Sequence, residues 1–383
     1  MVTSRAYLVD GRLGQGLADV RSEVGRLMSG FIANGAQAVE PAALLPADIL
    51  IDLYGEDLRA RAYTTHDPVE GEMMLRPDFT VPVVQMHMAN GASAARYAYA
   101  GSVWRRQEVG SNRPTEYLQV GFEVFGGEDA AVDDAEVFSV IATALGDLPV
   151  LPVTGDLGLI FAAIEALDTN DRRKGALRRH VWRPKRFKRL LERYSKKAET
   201  SAERAVLLQA VKDGKVRALI ENAGPAHGVR SIEEITERAE ILLHEKEAAS
   251  LSEAEVALVS NVLELKSTMG NAAQDLRKVA PMLGAAADQL EARTQALADT
   301  GIDVAALPFE ASYGRTTLEY YDGFVFGFHA PNRPDLPQIA QGGRYDALTR
   351  VVGGGKAVPA VGGIIRPEAV LALRGGVECA SLN

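Results

Sequence analysis

From Tyr117 to Phe125 the chain alternates without a break: Leu118, Val120, Phe122 and Val124 fall on one side, Tyr117, Gln119, Gly121 and Glu123 on the other. A period of two belongs to a β-strand, so this segment must lie in a sheet with its apolar side packed. The other side carries an amide and a carboxylate with a glycine between them. Such a face could grip an ammonium or an imidazole, the glycine leaving room for the ligand. Read from the strand alone, a solvent-facing sheet surface is the simpler explanation.

The flanking sequence supports a sheet backed by helices. A second strand is expected over Arg96–Arg106, with Gly101, Val103 and Arg105 on one face, and a third over Leu318–Phe328, beginning with Tyr320-Tyr321. Val20, Val24, Leu27, Met28 and Phe31 have helical spacing within Val20–Ala33, and a further helix is expected over Asp133–Leu145. Strands without regular βαβ alternation indicate an antiparallel sheet, hence an α+β fold.

From 171 to 300 the texture changes to consecutive helices. Thr200-x-x-Glu203, Ser231-x-x-Glu234 and Ser252-x-x-Glu255 are capping-box patterns, each followed by apolar residues at helical spacing. This reads as an all-helical insertion (171–300) that interrupts a core made of 1–170 and 301–383. Its first part is strongly basic. Residues 171–197 hold thirteen Lys/Arg and two acidic residues, in a chain whose net charge is −9. Arg172, Arg173, Lys174, Arg178, Arg179, Arg183, Lys185, Arg186, Lys188 and Arg189 could attract a polyanion, and Trp182 and Phe187 could stack on a base or dock the helix. A solvated helix face is the plainer explanation, an acidic partner protein the next.

Several function classes drop out. The overall charge disfavours a nucleic-acid binder held by bulk electrostatics. One cysteine, Cys379, provides neither a disulfide framework nor a zinc cluster. The six histidines lack ligand spacing, so no metal and no cofactor is expected. Gly353-Gly354-Gly355-Lys356 lacks the glycine and the Ser/Thr of a P-loop, with Arg350 and Ala357 in their places. Neither a GxGxxG turn nor a G-x-S-x-G elbow is present. No apolar run reaches the ~20 residues of a bilayer span, and the N-terminus has no signal-peptide core, so a cytoplasmic location is expected. Two local features have competing readings. Asp78 or Thr80 could cap the helix expected over Val81–Met88, or point into a site at its start. Arg105 and Arg106, leading into the turn at 110–114, could hold a phosphate or carboxylate, or be surface charge.

Taken in order, these segments resemble the catalytic domain of the histidyl-tRNA synthetases, a class II fold. Leu75-Arg76-Pro77-Asp78-Phe79-Thr80 is similar to the family's LRPEGT segment, and Tyr99–Arg105 through Gln119–Gly126 is similar to motif 2. Leu318–Gly323 resembles the histidine-specific L-D-Y-Y segment. Gly342–Asp346 followed by Pro359–Gly363 resembles the run into motif 3. The resemblance implies a class II antiparallel sheet flanked by helices. It also implies a histidine pocket made of Asp78, Thr80, Arg105, Gln119, Glu123, Tyr320 and Tyr321.

The same resemblance implies damaged ATP chemistry. The motif 2 arginine is kept as Arg105, but its glutamate partner is Gln107 and the loop arginine falls on Thr115. The motif 3 arginine falls on Ala369 beside a kept Glu368, and the arginine before the Tyr-Tyr pair falls on Thr316, with Arg315 one residue away. Each lost charge removes about 3 kcal/mol of transition-state stabilisation, so several together should abolish adenylation. Little chain follows motif 3, where the synthetases carry an anticodon-binding domain. A histidine pocket without working ATP chemistry resembles one family in particular, the regulatory subunits of ATP phosphoribosyltransferase. Membership implies a non-catalytic chain that works with a short catalytic subunit in the first step of histidine biosynthesis. It further implies hetero-octamers containing dimers of this chain, with histidine as feedback effector and neither membrane nor nucleic acid as partner.

Overall fold

The segment expected as a strand at 117–125 runs from Glu116 to Phe125 inside a nine-stranded sheet. The computed structural model describes residues 12–47, 62–91, 93–107, 114–195, 201–224, 230–316 and 320–375. In chain order the first strands are β1 (Gln37–Ala38), β2 (Leu44–Pro46), β3 (Thr64–Asp67), β4 (Gly71–Leu75), β5 (Ala95–Trp104) and β6 (Glu116–Phe125). They are followed by β7 (Leu151–Asp156), β8 (Lys266–Thr268), β9 (Pro308–Glu310), β10 (Phe324–His329), β11 (Ala340–Arg344) and β12 (Ala360–Ile365). The large sheet has the order β1-β5-β6-β12-β11-β10-β7-β9-β8. It is antiparallel except where β1 meets β5 and β7 meets β9. The remaining three strands form a small antiparallel sheet, β2-β4-β3.

One face of the large sheet is covered by helices α1 (Gly14–Ala33) and α3 (Ala130–Leu145), with α2 (Thr80–Asn90) between them in sequence. Phe31 of α1 meets Phe122 of β6 at 5.6 Å between ring centroids. On α3, Phe138 faces Phe324, Phe326 and Phe328, which alternate along β10, at 5.3–6.3 Å. Each such buried ring contributes about 1.5–3 kcal/mol of apolar burial. Asp129 caps α3 by accepting from the Ala131 and Val132 amides, so the helix starts ahead of the expected Asp133. On α1 the buried residues are Val20, Leu27, Phe31 and, unexpectedly, Glu23 rather than Val24 and Met28. Glu23 is buried because Arg26 (2.7 Å) and Arg374 (2.8 Å) neutralise it, a substitution of ion pairing for apolar spacing that no hydrophobic pattern reveals.

The chain divides into two compact units, 163–261 and the remainder (1–162 with 262–383). Within 163–261, α4 (Asp171–Arg178), α5 (Pro184–Ser195) and α6 (Ile232–Glu247) are joined through Arg173 of α4, which lies over the Tyr194 ring of α5 at 5.1 Å. Its guanidinium bonds the Glu245 carboxylate and the carbonyls of Glu245 and Ala249. The capping boxes at Ser231/Glu234 and Ser252/Glu255 form. Thr200 lies outside the described residues; Ser201 caps the following helix.

Three expectations need correction. The helical insertion ends near 261 rather than 300, because α7 (Met269–Val279) and α8 (Gly284–Asp299) belong to the core unit. There Arg293 of α8 is buried between Asp134 (2.7 Å) and Asp156 (2.6 Å). The third strand starts at Phe324, not Leu318. Tyr320 and Tyr321 precede it outside regular structure, and 317–319 lie outside the described residues. The second strand ends at Trp104, leaving Arg105 just beyond its end. The turn residues 110–113 and Cys379 also lie outside the described residues. No helix among the described residues is long and apolar enough to cross a membrane.

Candidate functional site

The polar side of β6 is not a solvent-facing surface: Gln119 and Glu123 are each 1% exposed. Cross-strand register sets their neighbours. β5 places Tyr99 opposite Gly121 and Gly101 opposite Gln119, while β12 places Gly362 opposite Glu123 and Ile364 opposite Gly121. Together with β11, these strands floor a small pocket. Asp78, Thr80, Arg105, Gln119, Glu123, Tyr320 and Tyr321, all seven residues singled out by sequence, line it.

Asp78 and Thr80 do both jobs that the sequence left open. Asp78 Oδ1 accepts from the Thr80 amide (3.1 Å) at the start of α2, and both side chains face the pocket. Thr80 Oγ1 is hydrogen-bonded to Tyr320 Oη at 3.0 Å, joining segments 240 residues apart in the sequence across the site. Arg105 donates from Nε to the Pro77 carbonyl (2.7 Å), which leaves its Nη2 3.9 Å from Asp78 Oδ2. Gln119 Oε1 is buried and has no hydrogen-bond partner among the described residues. An amide oxygen held this way is a ready acceptor for a ligand donor, since leaving it unmatched costs about 1–3 kcal/mol.

Glu123 is the electrostatic centre. Tyr99 Oη donates to its Oε1 and Tyr345 Oη to its Oε2, both at 2.6 Å. Burial pushes its carboxyl up to about 7; the two tyrosine donors pull the other way, and nearby Asp78 pushes it further up. Burial beside Glu123 also raises Tyr99 and Tyr345 well above the usual phenol range, so both remain donors. The space beside Gly121 is taken by the Tyr99 ring rather than left for a ligand, correcting the expectation from the strand. A Cβ at Gly121 would overlap that ring, and one at Gly362 would overlap the Glu123 carboxylate. Phe79 stacks on Tyr99 at 4.3 Å and carries the Arg76 guanidinium on its far face at 3.9 Å, a column that fixes the tyrosine.

Sequence reasoning missed Tyr99, Gln341, Tyr345 and Gly362 as site residues. Period-two spacing from Gly101 and Arg105 pointed to Tyr99. For Tyr345 and Gly362 the signal was the two Gly-rich runs in which they stand. The pocket thus offers two carboxylates, a guanidinium, two amides and paired hydroxyls in a small volume. That set complements a small zwitterion carrying a further hydrogen-bonding group.

The positions that match ATP-handling residues lie differently. Thr115 and Thr316 are exposed, Ala369 is buried in α9 (Pro367–Leu373), and Gln107 donates to the Pro114 carbonyl at 3.0 Å. The Glu368 carboxylate accepts from the Leu118 amide (3.3 Å) and from Arg12.

The family model for histidyl-tRNA synthetase matches residues 13–258 and 216–370. A protein of Brucella anthropi named ATP phosphoribosyltransferase regulatory subunit is 33% identical over 350 residues, 85% of this chain and 90% of the relative. One of the same name from Brucella canis is 33% identical over 373 residues, covering 90% and 94%. The chain belongs to the ATP phosphoribosyltransferase regulatory subunit family. Solved structures agree with the family's class II synthetase-like fold. An ATP phosphoribosyltransferase regulatory subunit/histidyl-tRNA synthetase from Bacillus halodurans C superposes with a TM-score of 0.66 at 18% identity, covering 97% of this chain and 83% of that one. A histidine–tRNA ligase subunit from Alicyclobacillus acidocaldarius gives 0.58 at 21% identity, covering 98% and 99%. Histidine biosynthesis is the setting that the family name carries.

Proposed function

We propose that this chain is a non-catalytic partner of a short ATP phosphoribosyltransferase catalytic subunit, and that free histidine binds the pocket around Glu123 as feedback effector. The catalytic subunit would join ATP to phosphoribosyl pyrophosphate, the first step of the pathway, in the cytoplasm. One observation carries the reading. The seven residues matched to the amino-acid end of a synthetase pocket line one cavity, while Thr115, Thr316 and Ala369 stand where that site needs arginines. Recognition survives where the charges for triphosphate chemistry are lacking.

In this reading the carboxylates of Asp78 and Glu123 take the cationic parts of histidine, Arg105 takes its carboxylate, and Gln119 accepts from its remaining donor. Histidine then acts by binding one quaternary arrangement of the complex more tightly than another, because an effector shifts an equilibrium only by its differential affinity. The chain pairs with itself as a dimer inside a hetero-octamer. The test mixes the purified chain with a short catalytic subunit and follows phosphoribosyl-ATP formation with and without histidine. Stimulation by the chain and inhibition by histidine are expected; absence of stimulation sinks the reading.

A second reading rests on Arg105 and Glu368, both kept: a chain that still activates an amino acid. Histidine-dependent ATP–pyrophosphate exchange would establish it. None is expected, since the Glu368 carboxylate is already engaged by Leu118 and Arg12.

A further inference from the structure

The basic stretch takes no part in the pocket. On α5, Phe187, Leu191 and Tyr194 are buried, whereas Lys185, Arg186, Lys188, Arg189 and Arg193 are exposed on the opposite side. Helical periodicity makes a single face of them, with Lys185, Lys188 and Arg189 one turn apart and Arg193 one turn further on; the exposed Glu192, one turn from Lys188 and Arg189, is the one carboxylate that α5 places among them. None of these five has a carboxylate within ion-pair distance among the described residues. Among the described residues Arg189 bonds only the Lys185 carbonyl of its own helix (3.3 Å), and Arg193 lies over the Tyr194 ring at 5.8 Å. Five cations against one carboxylate leave this face net basic, and like charges at this spacing oppose the helix by about 0.2–0.5 kcal/mol per pair, so an apposed acidic surface would favour it.

The complement is carried by the same chain. Residues 163–261 hold 20 Lys/Arg against 16 Asp/Glu, while the rest of the sequence holds 22 against 35. Nucleic acid is the poorer match: Phe187 and Tyr194 are turned inward (1% and 6% exposed), so the face has no stacking platform. We propose that the exposed basic face of α5 docks on the acidic 1–162/262–383 unit of a second copy of this chain. Two such contacts made reciprocally close a twofold pair, whereas a single head-to-tail contact would propagate.

Sedimentation velocity of the full chain at about 50 mM and about 500 mM NaCl tests this, since screening at the higher salt weakens exposed charge pairs. The expected result is a larger assembly at low salt that loses mass at high salt. K185E/R186E/K188E/R189E should show the high-salt mass under both conditions, and the charge-neutral K185Q/R186Q/K188Q/R189Q an intermediate salt response. All four positions are exposed, and unchanged far-UV dichroism would confirm that the variants fold. A wild-type mass independent of salt overturns the proposal, as does a reversal variant that assembles like wild type. If duplex RNA binds the wild type at low salt and not the reversal variant, with no change in protein mass, the face belongs to nucleic acid and the proposal is again overturned.

Discussion

Glu123 and Gly362 are cross-strand partners on β6 and β12, and the carboxylate of the first occupies the space that a side chain on the second would need. Gly362→Ala should therefore push Glu123 off its two tyrosine donors. A loss of about 1–3 kcal/mol in stability is expected from overpacking, together with loss of histidine binding in calorimetry. Retained affinity would show that Glu123 does not hold the ligand.

The raised carboxyl of Glu123 makes stability depend on pH in a defined direction. Folded, the group titrates near 7; unfolded, near ~4.3. Between those values the folded chain holds a proton that the unfolded chain has lost, so stability falls as pH rises through the window. The contribution is on the order of 3 kcal/mol. Asp322, also pushed up to about 7 by burial and by Asp346, acts in the same sense. It drops out of a comparison between wild type and Glu123→Gln. Urea titrations from pH 4.5 to 7.5 should show the wild type losing ground to the variant; parallel curves would contradict a raised Glu123.

Gln119 offers the opposite trade. Its buried Oε1 lacks a partner among the described residues, so Gln119→Met should raise the midpoint of thermal unfolding, with a gain of up to about 1–3 kcal/mol, while weakening histidine binding at least tenfold. A destabilised Gln119→Met would mean that the amide already has a structural partner.

Arg293 is fully enclosed by Asp134 and Asp156. Arg293→Met leaves those carboxylates short of a cation, and breaking a buried pair from one side costs about 3–5 kcal/mol. Chemical denaturation should report that loss. Arg277→Met, whose partners Asp288 and Glu291 are exposed, should change stability by less than about 1 kcal/mol.

Much of this molecule was legible in the sequence, and the boundary is physical. Strand β6 was readable because its alternation is unbroken, and the seven pocket residues because the motifs that carry them keep their order along the chain. The polar face of β6 misled in isolation: periodicity distinguishes two sides but not whether a second layer covers the polar one. The insertion's end was placed at 300 because α7 and α8 have the same amphipathic texture as the helices before them. What assigns α8 to the core is the ion pairing of Arg293 with residues well over a hundred positions upstream, which leaves no local trace. Glu23 escaped for the same reason, its distant partner Arg374 standing at the other end of the chain.

The cluster around Asp134 also constrains how the protein can be made. Asp134 and Asp156 leave the ribosome before the inserted helices, but their cations, Arg293 and Arg344, follow them. At ordinary elongation rates the wait is on the order of ten seconds. Until then the nascent first half holds two carboxylates with nothing to balance their burial, so the core closes only once the interrupting unit has been fully synthesised.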